Sequence, residues 1–332
     1  MKEEIQILSA EDAIRKRPGM YLGSVGSKGL INLVKGIFLD SIDELKSEDL
    51  FFHFTIISHN NYQISITSIS EFTEVMLNPT TETKHIRDNF HFSVLKALSQ
   101  KLKINQTAKK NLLIKWSFDQ KAFPIKKVDF VHLNEMATQI AYLHRQSEIL
   151  ISDKSGKYLN QSFFSYPEGI RYIYERCKVE AFGTPKFEIK FEGGINDNEY
   201  QIFLGYRTDW YPTPQIVSFA NEIHTIFGGS LVDGILEGLI SGCRKHVKDS
   251  KLENHKIKKK KFNNGLILVC AVKGQDLIYA GSFKESLFDD KIRKDVKKII
   301  KLKTLEFINQ NEEKANKFLW RFDETQLTSG IM

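Results

Sequence analysis

The chain has 332 residues, enough for two domains of ordinary size. Its 41% apolar and 27% charged content is that of a soluble globular protein, and no run of eighteen apolar residues is present to span a membrane. A net charge of +7 permits an acidic partner such as nucleic acid without requiring one.

The N-terminus, MKEEIQIL, lacks the basic start and apolar core of a secretory signal. Cys177, Cys243 and Cys270 lie far apart and form no metal or redox spacing, so a reduced cytoplasm is the expected setting. The first informative stretch is Arg15–Glu44, RKRPGMYLGSVGSKGLINLVKGIFLDSIDE. An Arg/Lys cluster runs into Pro18-Gly19 and two glycine-bearing turns at Gly23 and Gly26. From Lys28 the apolar residues Leu30, Ile31, Leu33, Val34, Ile37, Phe38 and Ile42 recur at helical spacing, which predicts a helix with one buried face and Ser27 as its N-cap.

The segments AIRKRPGMYLGS, GLINLV and DSIDE resemble the start of the ATPase domain of the gyrase B and topoisomerase IV proteins, members of the GHKL ATPases. In that family this helix carries a glutamate that polarises the attacking water and, one turn on, an asparagine that binds magnesium. The resemblance places Gly36 at the glutamate and Asp40 at the asparagine. It implies a scaffold kept without its catalytic base.

Two β-branched and aromatic runs follow, Phe51–Ser58 and Tyr62–Ile69, with His59-Asn60-Asn61 as a hairpin turn. The family's second strand ends in D-x-G-x-G, whose aspartate takes the adenine amino group. Here it continues Thr67-Ser68-Ile69-Ser70-Glu71-Phe72, with neither aspartate nor glycine. Phe90–Ile104 resembles the helix that follows the ATP lid. The lid itself is reduced to about Phe72–Asn89 and carries no glycine. Between Ile37 and Ser155 there is no glycine in 119 residues, where the chain's own frequency of 20 in 332 would give about seven. A loop that crowds backbone N–H groups around phosphate oxygens needs glycine. Lys84 and Arg87 could meet an anion as point charges but read more naturally as solvated.

Asn111–Phe118 and Lys127–Leu133 read as strands joined through a turn at Pro124. Asn134–Arg145 reads as a helix, and Glu148–Asp153 as a short strand ending at the turn Lys154–Lys157. Ser165–Ile170 resembles the opening of the family's transducer domain, which has the ribosomal S5-type fold with a left-handed βαβ crossover. Strands are expected at Phe187–Gly193, Glu199–Arg207, Gln215–Glu222 and Gly265–Lys273. Helices are expected at Leu231–Val247 and from Asp289 to Phe322. Phe219-Ala220-Asn221 and Gly228–Gly234 resemble the family's F-x-N…G-G-x-H-x-x-G. Tyr279–Lys284 stands where the family has its Q-T-K loop, with Lys284 at the lysine that touches the γ-phosphate and Ser282 in place of the glutamine.

The expected fold is therefore α+β: a GHKL (Bergerat-type) α/β sandwich over residues 1–164, followed by a ribosomal S5-like transducer domain over 165–332 with a long C-terminal helix. The expected function is that of a gyrase B-like pseudo-ATPase, a non-catalytic binding or regulatory module in a DNA-related or topoisomerase-related complex. Its protein partner is unidentified, and neither ATP nor Mg²⁺ is expected as cofactor. The alternatives are a divergent, slow ATP-hydrolysing protein of the type II topoisomerase kind, with Asp40, Asp43 and Lys284 as vestigial nucleotide or metal candidates, and a sequence-independent DNA binder. For the last, Lys256, Lys258, Lys259, Lys260 and Lys261 form a basic segment, and the final helix adds further lysines. Almost nothing precedes Glu4 that matches the family's dimerising arm, so an ATP-gated homodimer is not expected. Nothing after the last helix matches a topoisomerase-primase domain, so DNA cleavage is not expected either.

Overall fold

The computed structural model describes residues 8–80, 90–180, 187–207, 213–250, 257–281, 284–310, 318, 319 and 322. The chain divides into two compact units, Met1–Gly169 and Ile170–Met332, a little beyond the 164/165 boundary drawn from the sequence.

In the first unit, α1 (Ala10–Lys16) and α2 (Pro18–Leu22) lead into the long α3 (Gly26–Leu45). Ser9 caps α1 by accepting the Asp12 N–H, and Pro18 sits at the first turn of α2, where a missing N–H does no harm. The N-cap position of α3 is held by Val25, not Ser27, and carries no side-chain cap hydrogen bond. The Ser27 hydroxyl accepts the Asp129 N–H at 2.8 Å and so serves a distant loop rather than its own helix.

The hairpin β1 (Leu50–Ser58) and β2 (Asn61–Ser68) forms as its alternation predicts: Tyr62, Ile64 and Ile66 point inward, while Gln63, Ser65 and Thr67 do not. Asn60 in the turn exchanges hydrogen bonds with the Phe118 backbone. After α4 (Glu74–Leu77) comes α5 (Phe90–Leu98), which is shorter than the expected Phe90–Ile104. From Ser99 the burial turns to period two, with Lys101 and Lys103 out and Leu102 and Ile104 partly in. The chain becomes β3 (Ser99–Ala108), which pairs with β4 (Asn111–Phe118).

Lys127–Leu133 is not a strand. The Asp129 carboxylate accepts the N–H groups of Val131 and His132 and starts α6 (Phe130–Leu143) four residues earlier than expected. β5 (Glu148–Asp153) and β6 (Asn160–Phe164) complete the sheet. Its order is β3-β4-β2-β1-β5-β6, antiparallel throughout except for β1 beside β5. One core joins its inner face to α1, α3, α5 and α6 through Leu33, Ile37, Phe54, Ile64, Phe92, Leu112, Ile114 and Ala137. Each fully buried aliphatic or aromatic side chain there contributes about 1.5–3 kcal/mol.

The second unit opens with α7 (Arg171–Glu180), a helix that the apolar pattern does not announce. β7 (Glu188–Ile195), β8 (Asn198–Tyr206), β9 (Gln215–Ala220) and the short β10 (Ile223–His224) follow. α8 (Ser230–Asp249) connects β9 to β11 (Leu266–Lys273). β9 and β11 are parallel neighbours, so this is a βαβ unit in a sheet ordered β10-β9-β11-β8-β7. β11 is buried from Leu266 to Val272, as a continuous apolar run requires. The turn before α8 uses Gly228 (φ 65°) and Gly229 (φ 94°), and a side chain on Gly229 would strike the Leu287 backbone.

β12 (Tyr279–Ala280) and β13 (Ser286–Leu287) form a small ribbon. α9 (Asp290–Gln310) then packs along α8. The approach is close because Gly234, Gly238 and Gly242 line one side of α8. A Cβ on Gly238 would lie 2.7 Å from the Lys297 carbonyl oxygen and 2.9 Å from the Ile300 Cβ. The expected helical stretch continues in sequence to Phe322, but residues 311–317 lie outside the described residues.

Candidate functional site

The candidate site of the first unit is built on α3 and the N-terminus of α5. Gly36 and Asp40 are one turn apart on α3, and the side they share faces His91, the second residue of α5. The His91 backbone N–H donates to Asp40 Oδ2 at 2.7 Å, and Nδ1 lies 2.9 Å from Oδ1, which makes Nδ1 the protonated nitrogen. Both carboxylate oxygens are thereby engaged. Asp40 acts as an N-cap supplied by another helix, satisfying one of the donors that α5 leaves at its start and placing negative charge at the positive end of the helix.

The imidazole so held lies against the Cα of Gly36. A Cβ built on Gly36 would fall onto Cγ, Cδ2 and Nε2 of His91. The space just beyond Gly36, where the resemblance puts the catalytic glutamate, is filled by this ring. Phe90 crosses His91 edge-on at 5.0 Å and lies 6.3 Å from the Tyr21 ring. Sequence reasoning identified Gly36 and Asp40 but not His91, which is 51 residues away from Asp40. The available signal was the pairing of a missing side chain at Gly36 with a bulky one at the start of the next helix.

Asp43, three residues beyond Asp40, is exposed. In Thr67–Phe72, where the resemblance puts the adenine-binding motif, Ser68 is buried. Its N–H donates to the Lys110 carbonyl, and its hydroxyl accepts the Ser70 N–H. Glu71, the one acid in Thr67–Phe72, turns outward to Lys109 at 3.4 Å, while Phe72 and Met76 enter the core. Lys84 and Arg87 lie outside the described residues. Arg15 of the basic motif binds Asp119 and donates to the Ala97 carbonyl, so it ties α1 to the end of α5. The Lys121 N–H, and then Arg15, hold the Asp119 carboxyl below its ordinary value.

In the second unit Lys284 is exposed. Its backbone is in the left-handed region (φ 56°), and its ammonium lies 5.2 Å from the centre of the Tyr279 ring, a cation–π contact within its own ribbon. Ser282 lies outside the described residues. Of the basic segment, Lys256 also lies outside them. Lys259–Asn263 forms a 3-10 turn rather than an open loop, pinned by the buried Phe262, whose ring stacks on Phe322 at 4.0 Å. Lys258, Lys259 and Lys260 are exposed, and Lys261 is half-buried.

On α9 the positive charge is partly neutralised. Arg293 and Lys297 both bind Glu237 of α8, whereas Lys294 and Lys298 are exposed with no ion pair among the described residues. The three thiols are buried and unpaired, and burial pushes Cys270 up to about 12. Among the described residues no three His, Cys, Asp or Glu side chains converge as a metal site would need, and no helix is long and apolar enough to cross a membrane.

A family model described as DNA gyrase B matches residues 169–327. The gyrase B protein of Spiroplasma citri is 24% identical over 96% of this chain and 58% of its own length, and that of Borreliella burgdorferi 28% identical over 92% and 56%. The chain thus spans little more than half the length of the curated relatives it matches. Among solved structures, the 43K ATPase domain of Thermus thermophilus gyrase B superposes with a TM-score of 0.73 at 16% identity, covering 96% of this chain and 94% of that one. The topoisomerase IV ATP-binding domain of Francisella tularensis gives 0.69 at 19% identity, covering 95% of this chain and 96% of that one. These likenesses establish the GHKL ATPase fold and a chain that is similar, nearly end to end, to the N-terminal region of gyrase B proteins.

Proposed function

Taking the chain as gyrase B-like, with the fold of the ATPase region, we propose that it is a pseudo-ATPase, a non-catalytic binding or regulatory module working through a protein partner in a DNA-related or topoisomerase-related complex. The observation that carries this reading is the His91–Asp40 pair packed onto Gly36. General-base catalysis requires a proton acceptor within reach of the attacking water. Here the glutamate's position has no side chain, the space beyond it holds an imidazole, and the residue at the magnesium position engages His91 with both carboxylate oxygens. The lack of aspartate and glycine in Thr67–Phe72, and a lid sequence without glycine, support the same reading. ATP turnover by the purified chain tests it. The expected rate is that of a blank, and turnover abolished by Asp40→Ala would overturn it.

A second reading is favoured by the same pair. An imidazole whose Nδ1–H is held by a carboxylate presents Nε2 as a proton acceptor, the arrangement that orients catalytic histidines elsewhere. A slow, divergent ATPase would use His91 in place of the glutamate, and its turnover would vanish in His91→Ala.

A further inference from the structure

β3 is an edge strand of ten residues without proline. Among the described residues β4 is its one sheet neighbour, and no backbone hydrogen bond reaches its outer side. Such an edge offers alternate N–H and C=O groups to another strand. Lys101 and Lys103 alternate along it with Leu102 and Ile104, and Lys103 stands directly opposite Lys115 of β4. Like charges directly opposite on paired strands repel. All three lysines are exposed, and none has an ion pair among the described residues. They line one shallow depression of about 330 Å³, together with Ile57, Asn61 and Ser117. The stretch from residue 100 to 127 holds eight lysines against one acid, Asp119, which is already bound to Arg15.

We infer that the β3 edge docks an acidic, extended segment of a partner protein. The segment adds as a further strand and sets alternate carboxylates beside Lys101 and Lys103, with Lys115 one strand further in on the same face. A peptide matches the edge better than nucleic acid does, because a phosphodiester chain has no N–H to give the free carbonyls of β3. The inference rests on the reading of the chain as a protein-binding scaffold and names the class of partner.

The test uses the full chain and fluorescence anisotropy with four labelled probes: an alternating Glu/Val peptide of about eight residues, the same peptide N-methylated at alternate amides, an alternating Lys/Val peptide, and a duplex DNA of about 20 base pairs. Saturable binding of the Glu/Val peptide is expected. It should be lost on N-methylation and weakened about tenfold or more by Lys103→Glu with Lys115→Glu. The altered chain should instead take the Lys/Val peptide. Circular dichroism checks that it folds, and Lys101→Glu alone serves as a milder variant expected to weaken binding in the same direction. Equal binding of the N-methylated peptide would reduce the site to bulk charge. Tighter binding of the duplex, lost in the same variants, would make it a nucleic-acid surface. Binding of no probe would leave the lysines as guards against edge-to-edge association. ATP turnover of the same preparation is read separately, so a chain that hydrolyses ATP yet takes the peptide would fail the functional reading and keep the docking site.

Discussion

Alanine at Gly36 should change the sign of its effect with the residue at position 91. In a helix interior Gly→Ala ordinarily stabilises by about 1 kcal/mol. At Gly36 the new methyl falls on the His91 ring, which cannot swing aside without giving up its Nδ1 contact with Asp40. Overpacking costs about 1–3 kcal/mol, and loss of a hydrogen bond to a charged group costs about 1.5–3 kcal/mol. Against the gain in propensity, Gly36→Ala should destabilise the chain by up to about 2 kcal/mol. In a His91→Ala background the ring is gone, and the same substitution should stabilise by about 1 kcal/mol. Urea unfolding followed by circular dichroism, run as a double-mutant cycle, should give a coupling of about 1–3 kcal/mol. Stabilisation of similar size in both backgrounds would refute the placement of the imidazole over Gly36. Gly36→Glu, larger still, should restore no ATP turnover and should destabilise more than alanine does.

Gly238→Ala should destabilise by about 1–3 kcal/mol despite the better helix former, because the methyl meets the Lys297 carbonyl and the Ile300 side chain on α9; an unchanged or raised melting temperature would contradict the close α8–α9 packing. Hydrogen bonds from Arg293 and then Lys297 hold Glu237 below its ordinary value. That stabilisation is fully present above the unfolded carboxylate's pKa, about 4.3, and is lost as pH falls through the lowered folded value. Wild type should therefore lose up to about 1 kcal/mol relative to Glu237→Gln on acidification below about pH 4, and parallel pH curves would contradict the ion pairs. If the basic turn binds DNA, affinity should fall with a log–log salt slope of about −0.9 per phosphate neutralised, flattened by changing Lys258–Lys261 to Ser with the fold intact. Absence of duplex binding at low salt, or an unaltered slope in the variant, would remove DNA binding as the role of these lysines.

The elements whose apolar period is carried by many residues were legible in the sequence: α3, β1, β2, β4, β11 and α8 all stand within a few residues of their expected bounds. The misreadings have local causes. Lys127–Leu133 has the β-branched and aromatic look of a strand, but Asp129 is a cap, and one capping side chain outweighs a weak propensity. Phe90–Ile104 carries two periods in succession, and the change at Ser99 is visible only when the alternating lysines are given weight. α7 was hidden by its polarity, with Ile173, Tyr174 and Cys177 as its only buried residues. The role of Gly234, Gly238 and Gly242 depends on the contact with α9, which the sequence of α8 alone does not announce.

At the site, the departures at Gly36 and along Thr67–Phe72 from the motifs that the chain resembles were legible because each stands within a recognisable motif. The gain of His91 was not, because its meaning depends on a contact between helices that the sequence does not announce. The same limit applies to Ser27, read as a cap for its own helix and found bonded to the Asp129 backbone.

Equilibrium binding of a non-hydrolysable ATP analogue with Mg²⁺ bears most directly on the proposal that the chain does not work as an ATPase. A ligand that binds the folded state stabilises it by about 2.7 kcal/mol at roughly a hundred times its dissociation constant, so thermal unfolding with millimolar analogue provides the readout alongside dialysis. The expected result is no retained nucleotide and an unmoved melting temperature. Saturable retention with a raised melting temperature, abolished by Asp40→Ala, would contradict it.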